Sequence, residues 1–191
     1  MRRLILLPLV FLPTACNHVF MNDMGAAGYG RGLVNPPTIA EVIQSKCLAV
    51  MVYGESRGES EIGQVAVAFT AVNRATKKSV CNVVLAPKQY SIFNDNPALK
   101  AAAMSPHLEP RQKNIIDKAG WEKAVAVAKA VIRKEVDDPT NGATHYLSPV
   151  AMKALGYQYP AWSRLFKKVA MIDNHIFFKD NKLVDKQVAS L

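Results

Sequence analysis

Apolar residues recur at helical spacing in three stretches of this chain. Ile39, Ile43, Cys47, Val50 and Met51 share one side of a helix predicted from Ile39 to about Glu55, and Thr38 with Glu41 has the spacing of a capping box at its start. A break follows near Gly58. Ile62, Val65, Ala66, Phe69, Val72 and Asn73 line one side of a second helix, predicted from Ile62 to about Lys77. Trp121, Val125, Ala128 and Ile132 do the same for a third, from about Trp121 to Val136, which Asp137-Asp138-Pro139-Thr140-Asn141-Gly142 ends. The segment after Cys81 reads as a loop holding Gln89-Tyr90-Ser91 and a turn at Asn94-Asp95-Asn96-Pro97. From Gly142 to Ile172 the pattern is loop with short helical pieces, and His175 to Lys179 reads as a short strand or extended segment. These elements predict a mainly α fold, α+β with minimal sheet, and no internal repeat is visible.

Another apolar run changes the picture of the compartment. Arg2 and Arg3 precede Leu4 to Leu12, a run too short for a mature span of roughly 20 residues but of the size of a secretory core. Leu12-Pro13-Thr14-Ala15-Cys16 resembles a bacterial lipoprotein cleavage site, Pro13 being unusual there, so Cys16 is the candidate lipidation site. A plain signal peptide or an uncleaved anchor fits the same residues. Asn17 to Pro37 carries glycines and prolines without periodicity and reads as a tether. The expected organisation is a leader over residues 1–15, a flexible tether over 16–37 and a folded domain over 38–191.

Composition narrows the class. The 191 residues are 50% hydrophobic and 20% charged, which excludes a disordered or low-complexity chain, and three Cys are too few for a disulfide scaffold. The net charge of +9 favours anionic partners; removing Arg2 and Arg3 leaves +7 on the exported part, pointing to a cell envelope more than to nucleic acid. Aromatic-basic interleaving and any nucleic-acid motif are missing from the sequence. In an exported protein Cys47 and Cys81 can form a disulfide, tying the first helix to the loop after the second, or remain two buried thiols.

Glu55 is the sharpest candidate for chemistry. On a continuing first helix it stands four residues after Met51 and eight after Cys47, so it projects from the buried face. A carboxyl that loses hydration near the negative end of a helix favours its protonated form, the form a general acid needs. An ion pair of Glu55 with Arg57 or Arg74 satisfies the same spacing. Glu59 and Glu61, around Ser60, read as solvated surface.

The run Val52-Tyr53-Gly54-Glu55-Ser56-Arg57-Gly58-Glu59, continued by Gly63-Gln64-Val65-Ala66-Val67-Ala68 and Val72-Asn73-Arg74, resembles the signature of the cell-wall hydrolase family that includes the spore cortex-lytic enzymes. Cys81-Asn82-Val83-Val84, Gln89-Tyr90-Ser91, Gly142-Ala143-Thr144-His145-Tyr146, Pro160-Ala161-Trp162 and Asn174-His175-Ile176-Phe177 follow in the family's order. The resemblance implies a lysozyme-like fold and cleavage of the bond between N-acetylmuramic acid and N-acetylglucosamine in peptidoglycan, without a cofactor. It puts the catalytic acid on Glu55. In lytic transglycosylase chemistry that one carboxyl serves as acid and then as base, whereas a hydrolytic muramidase normally wants a partner Asp or Glu. Ser56, Ile92, Leu147 and Phe178 depart from the family's usual residues and touch the sugar contacts more than the acid.

Around Glu55, Gln89, Tyr90 and Ser91 either contact glycan or make a structural turn. His145 and Tyr146 either line the same groove or, for His145, sit in the core. Asn73 is expected to satisfy buried backbone groups, Arg74 to pair with an acidic neighbour, and His175, beside Ile176 and Phe177, to be structural. Two rivals remain. A zinc amidase or peptidase would need three ligands from His107, His145 and His175, which lie far apart and form no His-Glu-x-x-His pattern. A non-catalytic envelope lipoprotein would hold peptidoglycan through its basic surface.

Overall fold

A computed structural model of the chain describes residues 36–104 and 117–182. The leader, nearly all of the tether, Cys16 and His107 lie outside the described residues. Helix α1 (Ile39–Ser56) opens with the expected capping box, Thr38 and Glu41 each accepting from the other's backbone amide. Every residue from Cys47 to Tyr53 is buried, so the C-terminal half of α1 is enclosed on all sides and not on one face. Ile39, assigned to the buried face, is instead exposed.

Helix α2 (Glu61–Arg74) is capped by the Ser60 hydroxyl, which accepts from Gly63 N, and it stops three residues short of Lys77. Thr76, Lys77 and Lys78 are exposed and bring no apolar face to extend it. Ile62 is 51% exposed, and Gly63 and Gln64 are buried in its place. A Cβ at Gly63 would run into the Asp173 carboxylate and force it to shift.

The segment read as loop after Cys81 is largely helical. It forms α3 (Val80–Val84), α4 (Ser91–Asp95) and α5 (Pro97–Met104). Asn96, assigned to a turn, caps α5 by accepting from Leu99 N at 3.1 Å, and Pro97 occupies the first helical position, where its missing N–H costs nothing. Cys47 and Cys81 are joined in a disulfide that pins α1 to the first turn of α3.

Helix α6 (Lys118–Ile132) starts three residues before Trp121, at the Asp117 cap, and ends before Val136, where Lys134 turns left-handed at φ 57°. Its buried line is Gly120, Ala124, Val127, Ala128 and Val131, with Trp121, Val125 and Ile132 half-buried beside it. Those small residues let α6 lie close against α1, its principal neighbour.

Three antiparallel strands, β1 (His145–Leu147), β2 (Lys167–Ile172) and β3 (His175–Lys179), pair in the order β1-β3-β2. The helix α7 (Pro149–Ala154) and a 3-10 turn over Ala161–Arg164 lie between β1 and β2. β2 falls in the segment expected to be loop: Lys167-Lys168-Val169-Ala170-Met171-Ile172 does not alternate, and a bulge between Lys168 and Ala170 breaks its register. The hairpin tip joining β2 and β3 is gripped by the turn before α2. Asp173 Oδ2 accepts from Ser60 N at 2.9 Å, and Asn174 N and Nδ2 donate to the Glu59 carboxylate. Glu59 is therefore not the solvated residue expected, its side chain being 12% exposed. Phe177, fully buried, ties β3 to the helical core. Among the described residues no helix is long and apolar enough to cross a membrane.

Candidate active site

Glu55 is the penultimate residue of α1, where the enclosed helix reaches a cleft of ≈ 360 Å³. Among the groups that hold its carboxylate are a backbone amide and a phenol. The amide of Ile92, near the start of α4, donates to Oε1 at 3.4 Å, and the Tyr146 hydroxyl donates to Oε2 at 3.1 Å. Gly54 permits this approach, because a Cβ there would run into the Ile92 side chain.

Tyr146 is placed by the sheet. It is the middle residue of β1, paired with Phe177 of β3, and its ring packs edge-on against His175 at 5.1 Å. Burial first, and then the Glu55 carboxylate, push its hydroxyl well above the usual tyrosine range. The phenol is thus a neutral donor aimed at Glu55.

Residues from α2, the turn into α4, the start of β1 and the 3-10 turn complete the walls. Thr70 and Arg74 face the cleft from the last turns of α2, four residues apart on one helix face. Arg74 Nη2 donates to the Gln89 side-chain oxygen. Lys88, Gln89 and Tyr90 form the turn into α4, and burial raises the Tyr90 hydroxyl while the Arg74 charge opposes it. Thr144 and His145 enter with β1, and Trp162 closes the far side from the 3-10 turn. The His145 ring packs against Trp162 and Phe166 at 5.0 and 4.8 Å. Burial, with the Arg74 charge, lowers its pKa to about 4, so it is neutral at neutral pH.

Of the residues singled out from sequence, Glu55, Arg74, Gln89, Tyr90, His145 and Tyr146 meet in this cleft. Ser91 begins α4, and its side chain lies outside the described residues. Arg57, expected beside Glu55, turns its guanidinium over the Tyr53 ring at 5.4 Å. Asn73 Nδ2 donates to Asp138 and to the Ala143 carbonyl, bracing the loop that leads into β1. His175 lies behind Tyr146 with Nδ1 3.9 Å from Glu59 Oε1, and burial lowers its pKa. Thr70 and Trp162 were not assigned to the site. The i, i+4 spacing of Thr70 to Arg74 is a signal for the first, and the motif Pro160-Ala161-Trp162 is one for the second, which the tertiary fold brings to the cleft.

The mainly helical body, the three-stranded sheet and a carboxyl at the end of a buried helix constitute a lysozyme-like fold. The chain belongs to the Cell Wall Hydrolase family, which it matches over residues 58–178. Glu55 stands three residues ahead of that span. The chain is 31% identical over 137 residues to the spore cortex-lytic enzyme of Bacillus cereus, covering 69% of this chain and 42% of that protein. The spore cortex-lytic enzyme of Halalkalibacterium halodurans is 29% identical over 134 residues, covering 68% of this chain and 33% of its own length. The chain thus spans less than half of these relatives. Among solved structures, the catalytic domain of the Bacillus cereus SleB protein superposes with a TM-score of 0.51 at 28% identity, over 80% of this chain and 100% of that one. The catalytic domain of the germination-specific lytic transglycosylase SleB from Bacillus anthracis gives 0.51 at 27% identity, over 77% and 100%.

Proposed function

We propose that this chain is a peptidoglycan-degrading glycosidase that cuts the bond between N-acetylmuramic acid and N-acetylglucosamine as a lytic transglycosylase, with Glu55 as acid and base. The supporting observation is that Glu55 is the sole carboxylate among the described residues lining the cleft. Retaining and inverting hydrolases normally place two carboxyls about the scissile bond. Here Glu59, the nearest acidic residue in sequence, is committed to Asn174 and stands beside His175.

The chemistry needs one carboxyl. Protonated Glu55 gives its proton to the glycosidic oxygen as the bond from the muramic C1 to that oxygen breaks, releasing the N-acetylglucosamine end as an alcohol. The muramic 6-hydroxyl then bonds to C1, and the Glu55 carboxylate takes the hydroxyl's proton, which restores the acid and closes a 1,6-anhydro ring. Tyr146 and the Ile92 amide orient the carboxyl, Arg74 holds Gln89, and the Trp162 face with neutral His145 offers a packing surface for a sugar ring.

The setting fits an exported protein. Residues 1–15 act as the leader, 16–37 as a tether and 38–191 as the working domain, with Cys16 as lipid acceptor at the cell envelope. Peptidoglycan strands are the partner.

Mass spectrometry of muropeptides released from purified sacculi tests the reaction. Ends lighter by one water, the anhydro form, are expected from the parent and lost with Glu55→Gln. Reducing muramic ends mean a hydrolytic muramidase instead, and free stem peptides mean an amidase.

A further inference from the structure

The cleft continues beyond the groups the reaction uses. An open hollow of ≈ 630 Å³ shares Arg74, Gln89 and His145 with it and runs on along the α2–α3 connection. Lys77 and Lys78 stand exposed on that connection and line the hollow together with Asn82 of α3 and Phe166. Among the described residues that line it, three cations, Arg74, Lys77 and Lys78, stand against one carboxylate, Asp180, whose Oδ1 accepts from the amide of Lys182. Lys88 adds a further cation from the cleft itself. His145, neutral and packed on Phe166, forms an uncharged shoulder between cleft and hollow.

A glycan strand held with its scissile bond at Glu55 carries a muramic substituent next to the cut. In peptidoglycan that substituent is a short peptide that carries several carboxylates. A positively charged hollow continuous with the cleft has the position and the sign to receive them. We infer that this hollow seats the acidic stem peptide next to the cut, so that Lys77 and Lys78 make the protein prefer stem-bearing strands over bare glycan. The inference rests on the reading of the cleft as a peptidoglycan-cleaving site.

The test uses soluble, uncrosslinked peptidoglycan strands and the same strands stripped by an amidase, which trades each stem for one lactyl carboxylate. The full chain and its Lys77→Gln/Lys78→Gln double variant are assayed on both. On stem-bearing strands the variant's KM rises about fivefold with kcat little changed, and the effect shrinks in high salt, as expected for exposed charges. On stripped strands its KM stays within about twofold of the parent, the residual carboxylate giving little to screen. Equal rises on both substrates, or none on either, overturn the inference and leave the reading of Glu55 intact. If Glu55→Gln cleaves both substrates as the parent does, the site reading falls and takes this inference with it.

Discussion

Tyr146 gives Glu55 a hydrogen bond that a phenylalanine cannot, while its ring packs on His175 and Phe177 in a way that a phenylalanine can. Tyr146→Phe therefore separates positioning from packing. A hydrogen bond to a charged group contributes about 1.5–3 kcal/mol, so kcat should fall about ten- to a hundredfold while the melting temperature drops by only several degrees and the fold is kept. Glu55→Gln, which removes the acid itself, should cost about 10²–10⁴. A Tyr146→Phe enzyme with parental kcat would reduce Tyr146 to a packing residue. The candidate site was legible where a polar residue interrupts an apolar helical line, as at Glu55, or where the motif order named it, as at Arg74, Gln89, Tyr90, His145 and Tyr146. It was illegible where neighbours in sequence part in space. Arg57 is two residues from Glu55, yet the turn after α1 carries it onto Tyr53. Glu59 reads as surface until Asn174, distant in the chain, arrives to cover it.

At the scale of elements, the disulfide links α1 to α3 across a sequence separation of 34 residues. Closing a loop of that length restricts the unfolded chain by about 3–4 kcal/mol in the chain-entropy account. The Cys47→Ala/Cys81→Ala variant should lose up to that amount in urea denaturation, and reductant should lower the parent toward it without further lowering the variant. Equal stability with and without the bond would show that the packing of α1 against α3 suffices. The three long helices were readable because each carries an apolar line longer than two turns. Their ends were less so: α2 stops at Arg74 and α6 at Ile132, since Lys77 and Val136 lie past residues that bury nothing further. The short helices α3, α4 and α5 have too few turns for periodicity to register; Ser79 and Asn96 prove to cap α3 and α5 only once the fold is known. β2 is illegible in the sequence because a bulged strand, exposed at Lys167, Lys168 and Met171 and half-buried at Val169, Ala170 and Ile172, has no alternation to read.

For the whole molecule, the seam between helical body and sheet is built around two uncharged imidazoles. His145 lies on β1 and His175 on its neighbour β3, flanking the tyrosine that reaches across to α1. Burial lowers both pKa values, that of His145 to about 4, although Asp180 pulls the first upward and Glu59, Glu55 and Asp173 pull the second. In the unfolded chain an imidazole takes its proton near pH 6.5. Between about 6.5 and 4 the unfolded state therefore binds more protons than the folded one, and stability rises with pH across that window. The stabilisation from keeping His145 neutral is whole above about 6.5 and is lost progressively as the pH falls toward 4. Acid also neutralises carboxylates in a chain whose formal net charge is already +9, so self-repulsion grows in the same direction. A variant separates the two effects. His145→Gln keeps a polar group against Trp162 and Phe166 but removes the titration, while the background charge of the rest of the chain is the same. Its melting temperature should lie below the parent's at pH 7.5 and fall by less between pH 7.5 and 4.5, so that the two curves converge in acid. Parallel curves would mean that the acid loss comes from net charge alone and that the seam does not sense protons through His145.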